Sequence, residues 1–301
     1  MRLHALVAAA ADRLEASGVC FGHGTTNAWD EAAWLVLWRL GLPLSTVLDT
    51  ADDAVAQPLT VQQQQQVHAL IAQRIATRQP AAYLTGEAWL QGLCFHADAR
   101  AIVPRSLIAE PLVQGVLDNW LTSDSASVLD LCTGSASLAI LAAIAWPHLR
   151  VDASDICADA LAVAAINLER HALAHRVRLL QGDALAQLGE RYDLILCNPP
   201  YVNSRSMQSL PPEYRAEPGL ALNGGADGMD FVRRLLREAP SRMREHAALV
   251  LEIGNERAHF EAAFPALEIL WLDTSAGDEQ VCVLTRTALL HGGAEHPDIT
   301  P

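Results

Sequence analysis

Apolar positions at the start of the chain recur with helical spacing. Between Arg2 and Ser17, Leu3, Leu6, Val7, Ala10 and Leu14 fall on one face, which predicts an amphipathic helix. Similar patterns predict helices over Asn27 to Leu40 and Thr60 to Gln79. The last opens with Thr60 and Gln63 at capping-box spacing and is stopped by Pro80. The glutamines from Gln62 to Gln66 run into Val67, Leu70, Ile71 and Ile75 at helical spacing, so they read as a solvated first turn with no function of their own. The stretch "AWLQGLCFHADARAIVPRS" then alternates around Gly92, which predicts a hairpin linking the helical unit to the rest.

After Pro104 the rhythm changes. Strand-like segments at Val128 to Cys132, Val151 to Asp155, Val177 to Leu180, Tyr192 to Cys197 and Ala248 to Ile253 are interleaved with helical ones starting at Ser135, Asp159 and Met229. That alternation predicts a parallel sheet with helices on both faces. The segment from Val202 to Asp227 is rich in Pro, Gly, Asn and Ser and too long for a plain connection, so it is placed to act as a substrate-binding lid. The last twelve residues read as a frayed tail in which His291 and His296 are solvated.

Composition narrows the class of protein. With 301 residues, 51% hydrophobic and 19% charged, the chain can bury one large core or two modest ones. The formal net charge of −14 argues against a DNA or RNA backbone as partner, because such binding needs clustered Lys and Arg, and it favours a basic partner. Cys20, Cys94, Cys132, Cys157, Cys197 and Cys282 are scattered without a CxxC pair or a His at metal-ligand spacing, so they read as reduced core thiols. The first residues do not read as a signal peptide, because Asp12, Arg13 and Glu15 interrupt the apolar run. The best apolar stretch, Leu138 to Trp146, is too short to span a membrane. The expected compartment is the cytoplasm, with no membrane partner.

Candidate chemistry gathers at the predicted strand ends. In "VLDLCTGSASLAIL" a strand gives way to a small-residue turn and a helix, which brings backbone N–H groups to a ligand, and Gly134 permits close approach. Only Gly134 is a glycine there, so the dinucleotide signature G-x-G-x-x-G is not met. Asp130 suits a cationic amino-acid moiety better than a pyrophosphate. Asp155 ends the second strand, where a carboxylate can accept both hydrogen bonds of a ribose diol, and Asp183 lies just beyond the third. Singly each acid reads as a solvated strand end; together with Gly134 they ring one crevice fit for a nucleoside with a positive centre. In "LILCNPPYVNS" the two prolines must end the strand, which leaves the Asn198 amide at a strand tip beside a stiff segment. Taken alone, that stretch reads equally as a plain turn, since Asn-Pro starts turns.

The order Asp130-Leu-Cys132-Thr133-Gly134-Ser135-Ala136, then Asp155, then Gly182-Asp183, then Asn198-Pro199-Pro200-Tyr201 resembles the class I S-adenosylmethionine-dependent methyltransferases that modify glutamine side-chain amides. "FGHGTTNAWDEA", "PAAYLTGEAW", "IVPRSLIAE" and "LPPEYRAEPGLALNGGADGMDF" are similar to the branch acting on large-subunit ribosomal protein three, and the similarity covers nearly the whole chain. The release-factor branch usually carries Pro-Arg-Pro-Glu-Thr where this chain has Pro104-Arg105-Ser106-Leu107-Ile108.

The resemblance implies an α/β class I methyltransferase fold, Rossmann-like, with a mostly parallel seven-stranded sheet, a small N-terminal helical domain over 1–85 for substrate recognition and a linking β-hairpin over 86–106. The catalytic domain would span 107–289 and the tail 290–301. It implies S-adenosylmethionine as cofactor, held by Asp130, Cys132, Thr133, Gly134, Ser135, Ala136, Asp155, Asp183 and Asn198, no metal, and a basic ribosomal protein of the large subunit as substrate. Asn198, Pro199, Pro200 and Tyr201 would form the catalytic loop. An amide nitrogen is a poor nucleophile because its lone pair is delocalised. The Asn198 side-chain oxygen and the Pro199 carbonyl can each accept one amide N–H and so aim that nitrogen at the methyl group. Pro200 stiffens the loop, and Tyr201 offers an aromatic wall. No His stands beside Cys197 as a base, so a cysteine nucleophile is not expected. Alternatives remain: the same loop serves exocyclic amines of nucleic-acid bases and release-factor glutamines, and an idle binding module of the ribosome-assembly type would share the fold. The chain departs from the family at Ala136, where a second glycine is usual. A methyl group there is expected to crowd the cofactor, although alanine is compatible with a first helical turn.

Overall fold

The protein is described by a computed structural model covering residues 2–48, 58–186 and 188–292. His296 and most of the expected tail lie outside these residues. Three helices open the chain, α1 (Leu3–Ala16), α2 (Ala28–Leu40) and α3 (Val61–Thr77), followed by the short α4 (Ala81–Thr85). Their apolar faces meet in one core that includes Leu6, Leu14, Leu35, Val67 and Ile71. Helix α3 begins with the capping box read from the sequence: the Gln63 amide N–H donates to Thr60, and the Gln63 side chain accepts from the Thr60 N–H. Most of the glutamine run is exposed or half-buried, as its position on the first turns requires.

The hairpin pairs β1 (Glu87–Leu90) with β2 (Leu93–His96), antiparallel, across the two-residue turn Gln91-Gly92. Both turn residues have positive φ, 48° and 77°, the conformation that matches a hairpin's right-handed twist. Ala88, Ala97 and Val103 from this stretch are buried in the helical core, so the hairpin extends that core instead of hanging free.

The larger unit comprises α5 (Ala109–Val113), β3 (Ser127–Leu131), α6 (Ser137–Ala145), β4 (Arg150–Asp155), α7 (Ala158–Arg170), β5 (Val177–Gln181), β6 (Tyr192–Cys197), α8 (Ser204–Ser209), α9 (Pro212–Arg215), α10 (Asp230–Glu238), β7 (Met243–Glu252), α11 (Arg257–Ala263), β8 (Leu270–Thr274), β9 (Gly277–Thr285) and α12 (Arg286–Gly292). The seven strands form one sheet in the order β5-β4-β3-β6-β7-β9-β8, parallel except where β9 runs against β7 and β8. Alternation splits each central strand between two cores: Val128, Leu194 and Val250 face one, and Leu129, Ile195 and Leu249 face the other. Helix α6 is apolar nearly all round and almost wholly buried.

This order locates the ligand crevice. The chain winds outward from β3 to β5 and then returns to the other side of β3 with β6, which makes the β3/β6 boundary the switch point of the sheet. Leu131 is in register with Cys197, so the two strands end level and Cys132 and Asn198 continue side by side.

Candidate active site

The loop after β3 is held by its own first acid. Asp130 is 1% exposed and accepts from the Thr133 hydroxyl at 2.5 Å and from the Ala139 N–H in the first turns of α6 at 2.9 Å. Burial pushes its carboxyl up to about 7 against the pull of those two donors. Three loop residues have positive φ: Cys132 at 59°, Gly134 at 55° and Ala136 at 62°. A side chain at Gly134 would meet nothing within 4 Å, so its backbone faces open space.

Ala136 corrects the sequence reading. It is the left-handed residue before α6, which starts at Ser137, and not part of the first helical turn. Its methyl is fully buried in the core beneath the loop and lines neither large cavity. The departure from glycine therefore acts as backbone strain, on the order of 1–2 kcal/mol for an L-residue in this region, and not as crowding of a ligand.

Asp155 closes the ring between the first two strand ends. Its Oδ2 accepts from the Gly134 N–H and its Oδ1 from the Cys157 N–H, both at 2.9 Å. Burial raises its pKa, opposed by those backbone donors. Asp183 differs, because the Arg234 guanidinium on α10 grips both its oxygens at 2.8 and 2.5 Å and lowers its pKa. The expected third acid is thus half of an ion pair at the rim.

Two cavities meet in this crevice. One, of about 200 Å³, is bounded by Gly134, Asp155, Ile156, Ala184 and Phe231 among others. The second, of about 450 Å³, is bounded by Pro199, Tyr201, Tyr214, Glu252 and Gly254 among others. Ile102, Asn198 and Ala221 line both. Of the expected residues, Cys132, Gly134, Asp155, Asp183, Asn198 and Pro200 line the first cavity, while Pro199 and Tyr201 line the second. Asp130, Thr133 and Ser135 line a small void of about 30 Å³ behind the loop, together with Gly134 and Asn198. The Cys197 thiol is fully buried, and that burial raises its pKa well above the usual range, which leaves it protonated and unsuited to attack.

The segment from Val202 to Asp227 is anchored rather than free. It folds back on itself through hydrogen bonds from the Val202 N–H to Leu222 and from the Gly224 N–H to Val202. Two buried glutamates then fasten it to the rest. Glu213 pairs with Arg74 of α3 at 3.1 Å and with Arg78 at 2.7 Å, while Arg74, fully buried, also pairs with Glu31 of α2 at 2.9 Å. Glu217 takes both arms of Arg105 at 2.5 and 2.7 Å and lies 3.4 Å from His23. The stretch around Phe21 to Gly24 packs on this wall: His23 stacks with Tyr214, and a side chain at Gly22 would lie 2.5 Å from the Tyr214 hydroxyl. Sequence reasoning missed Arg74, Arg105, Glu213, Glu217 and Glu252. Arg105, Glu213 and Glu217 lie in the stretches that carry the resemblance, and Glu252 is one more acid at a strand tip, but nothing local to them shows their pairing.

Comparisons with known proteins fit this geometry. The family model described as the methyltransferase small domain matches residues 112–210, and that described as the PrmC N-terminal domain matches residues 5–86. The ribosomal protein uL3 glutamine methyltransferase of Bordetella pertussis is 52% identical over 290 residues, covering 95% of this chain and 96% of its own. That of Burkholderia pseudomallei is 50% identical, covering 94% of each chain. Among solved structures the hMettl16 catalytic domain has a TM-score of 0.51 at 14% identity, covering 72% of this chain and 81% of that chain, a likeness of fold alone.

Proposed function

We propose that this chain, which belongs to the family of ribosomal protein uL3 glutamine methyltransferases, transfers a methyl group from S-adenosylmethionine to the side-chain amide nitrogen of a glutamine in ribosomal protein uL3. The observation that carries the reading is the position of Asn198, which borders both cavities and so stands where a donor in one and an acceptor in the other would meet.

The residues of the first cavity fit the donor. Ile156, Ala184 and Phe231 offer apolar walls for a purine, Asp155 offers a carboxylate for a ribose diol, and the open backbone at Gly134 admits the chain between them. Asp130, on the small void behind the loop and not on this cavity, would supply negative charge for an amino group when ionised. When bound, the cofactor supplies an electrophilic methyl carbon. The protein supplies orientation: the Asn198 oxygen and the Pro199 carbonyl accept the two amide N–H bonds and aim the nitrogen lone pair along the line of transfer. As the nitrogen gains the methyl it loses one of its two protons; the methylated nitrogen is strongly acidic, so that proton can pass by way of these acceptors to water and no stronger base is called for. The net charge of −14 favours a basic protein as the substrate. Incubation with methyl-labelled S-adenosylmethionine and purified uL3, followed by identification of the labelled residue, tests the reading; label on DNA or RNA in preference to a uL3 glutamine refutes it.

Two outcomes are expected of the donor site. Asp155→Ala weakens S-adenosylmethionine by roughly one to two orders of magnitude in calorimetry, from about 1.5–3 kcal/mol of lost charge-assisted bonding. Unchanged affinity would remove Asp155 from the site. The second outcome concerns pH. A buried Asp130 carboxyl near 7 is largely protonated at pH 6 and ionised at pH 8. A cationic ligand binds the ionised form, so affinity rises as pH climbs through about 7 and flattens above, by up to about tenfold per unit on the acid side. In Asp130→Asn this rise disappears. A flat wild-type profile would show that Asp130 does not face the cation.

A further inference from the structure

Glu252 ends β7, one residue beyond Leu251, which is in register with Cys197. The carboxylate therefore stands level with Asn198 and on the wall of the second cavity. It is 4% exposed. Its two oxygens are unlike. Oε2 accepts from the Ser106 hydroxyl at 2.6 Å and from the Leu107 N–H at 2.9 Å. Oε1 takes a long bond, 3.4 Å, from the Tyr201 hydroxyl, and the Ile108 N–H is a further donor to the carboxylate. The nearby Arg105 is committed through both arms to Glu217. Tyr201 is itself confined, since a side chain at Gly254 would lie 2.5 Å from its ring.

These contacts gather acceptors at the inner end of the cavity, beside the Tyr201 hydroxyl. Asn198 and Pro199 offer carbonyl oxygens there, and Glu252 adds a buried oxygen with spare lone pairs. A carboxamide brings two N–H donors to such a surface. A carboxylate of the same shape brings only acceptors and a like charge, away from the water that would screen it. We propose that Glu252 is a specificity-determining residue whose Oε1 holds the acceptor cavity to a carboxamide and turns away the corresponding carboxylate. The proposal rests on the reading of this cavity as the glutamine site.

Competition measures the effect. Purified uL3 is the substrate, and uL3 carrying glutamate at the methylated position is the inhibitor. For the wild type, the inhibition constant of the glutamate protein is expected to exceed the KM of the glutamine protein by on the order of a hundredfold. In Glu252→Gln the new amide oxygen faces Ser106 and Leu107, and its NH₂ takes the place of Oε1, a donor where an acceptor stood. That ratio then falls at least about tenfold, while S-adenosylmethionine affinity stays within about threefold.

An unchanged ratio in Glu252→Gln with donor binding intact overturns the proposal. If Glu252→Gln does not bind the donor, the wild-type ratio decides, and a value below about tenfold is fatal. Failure of the wild type to methylate a uL3 glutamine at all is a different result, which removes the acceptor reading and this proposal with it.

Discussion

Asn198→Ala is expected to lower kcat/KM for methyl transfer by on the order of 10²–10³, with S-adenosylmethionine affinity changed by no more than a few fold. The size follows from what is removed. Asn198 lines both cavities next to the Pro199-Pro200 segment that follows β6, and in the proposed reaction its side-chain oxygen is the acceptor at their junction. A water molecule replacing it is not held in that orientation, so the lost rate lies in aiming the amide nitrogen and not in binding the donor. Asn198→Asp keeps an acceptor oxygen in place and should retain more activity than the alanine variant. Steady-state kinetics with calorimetric donor affinities separates the two effects. Near wild-type turnover in Asn198→Ala would remove the residue from the mechanism.

Arg74→Ala is expected to cost about 3–5 kcal/mol of stability, among the largest single effects in the molecule. Arg74 is fully buried and satisfies Glu31, Glu213 and the Cys20 carbonyl together, so its removal strands the buried Glu31 carboxylate and leaves Glu213 to Arg78 and the Cys20 N–H. The value of the intact network is smaller than this, because burying the charges was itself costly; the penalty comes from breaking it one-sidedly. Arg150, paired with Glu190 on the surface, provides the contrast. With both partners exposed, Arg150→Ala should change stability by less than about 1 kcal/mol. Urea denaturation of the two variants checks both values, and a loss below about 1 kcal/mol for Arg74→Ala would show that the pocket relaxes to admit water. Protein methylation should also fall more than donor affinity, since Glu213 fastens the segment that places Tyr214 on the acceptor cavity.

Local pattern carried most of the architecture. Period-3.6 apolar faces determined α1 to α3, and the capping residues Thr60 and Gln63 determined where α3 begins, because both effects act within one turn of chain. β6 runs from Tyr192 to Cys197 as read, since consecutive prolines end a ladder whatever surrounds them. β8 and β9 left no comparable signal. β8 is mostly exposed or half-buried, and β9 begins with the polar run Gly277-Asp-Glu-Gln280, so only its second half, Val281 to Leu284, carries a buried apolar run. Their place came only through resemblance.

The sequence by itself also determined that Asp130, Gly134, Asp155 and Asn198 come to one edge of the sheet, because a parallel α/β order sends every such strand tip there. It could not determine how those groups are used. Asp183 is drawn into a pair by Arg234, 51 residues away, and Ala136 turns its methyl into the core because the loop demands a left-handed residue before α6. The expected lid is a fixed wall because Glu213 and Glu217 meet arginines more than a hundred residues earlier in the chain. Such pairings depend on charge, distance and the exclusion of water at one point in space, and none of these is a property of neighbouring residues. Only the tertiary structure decided them.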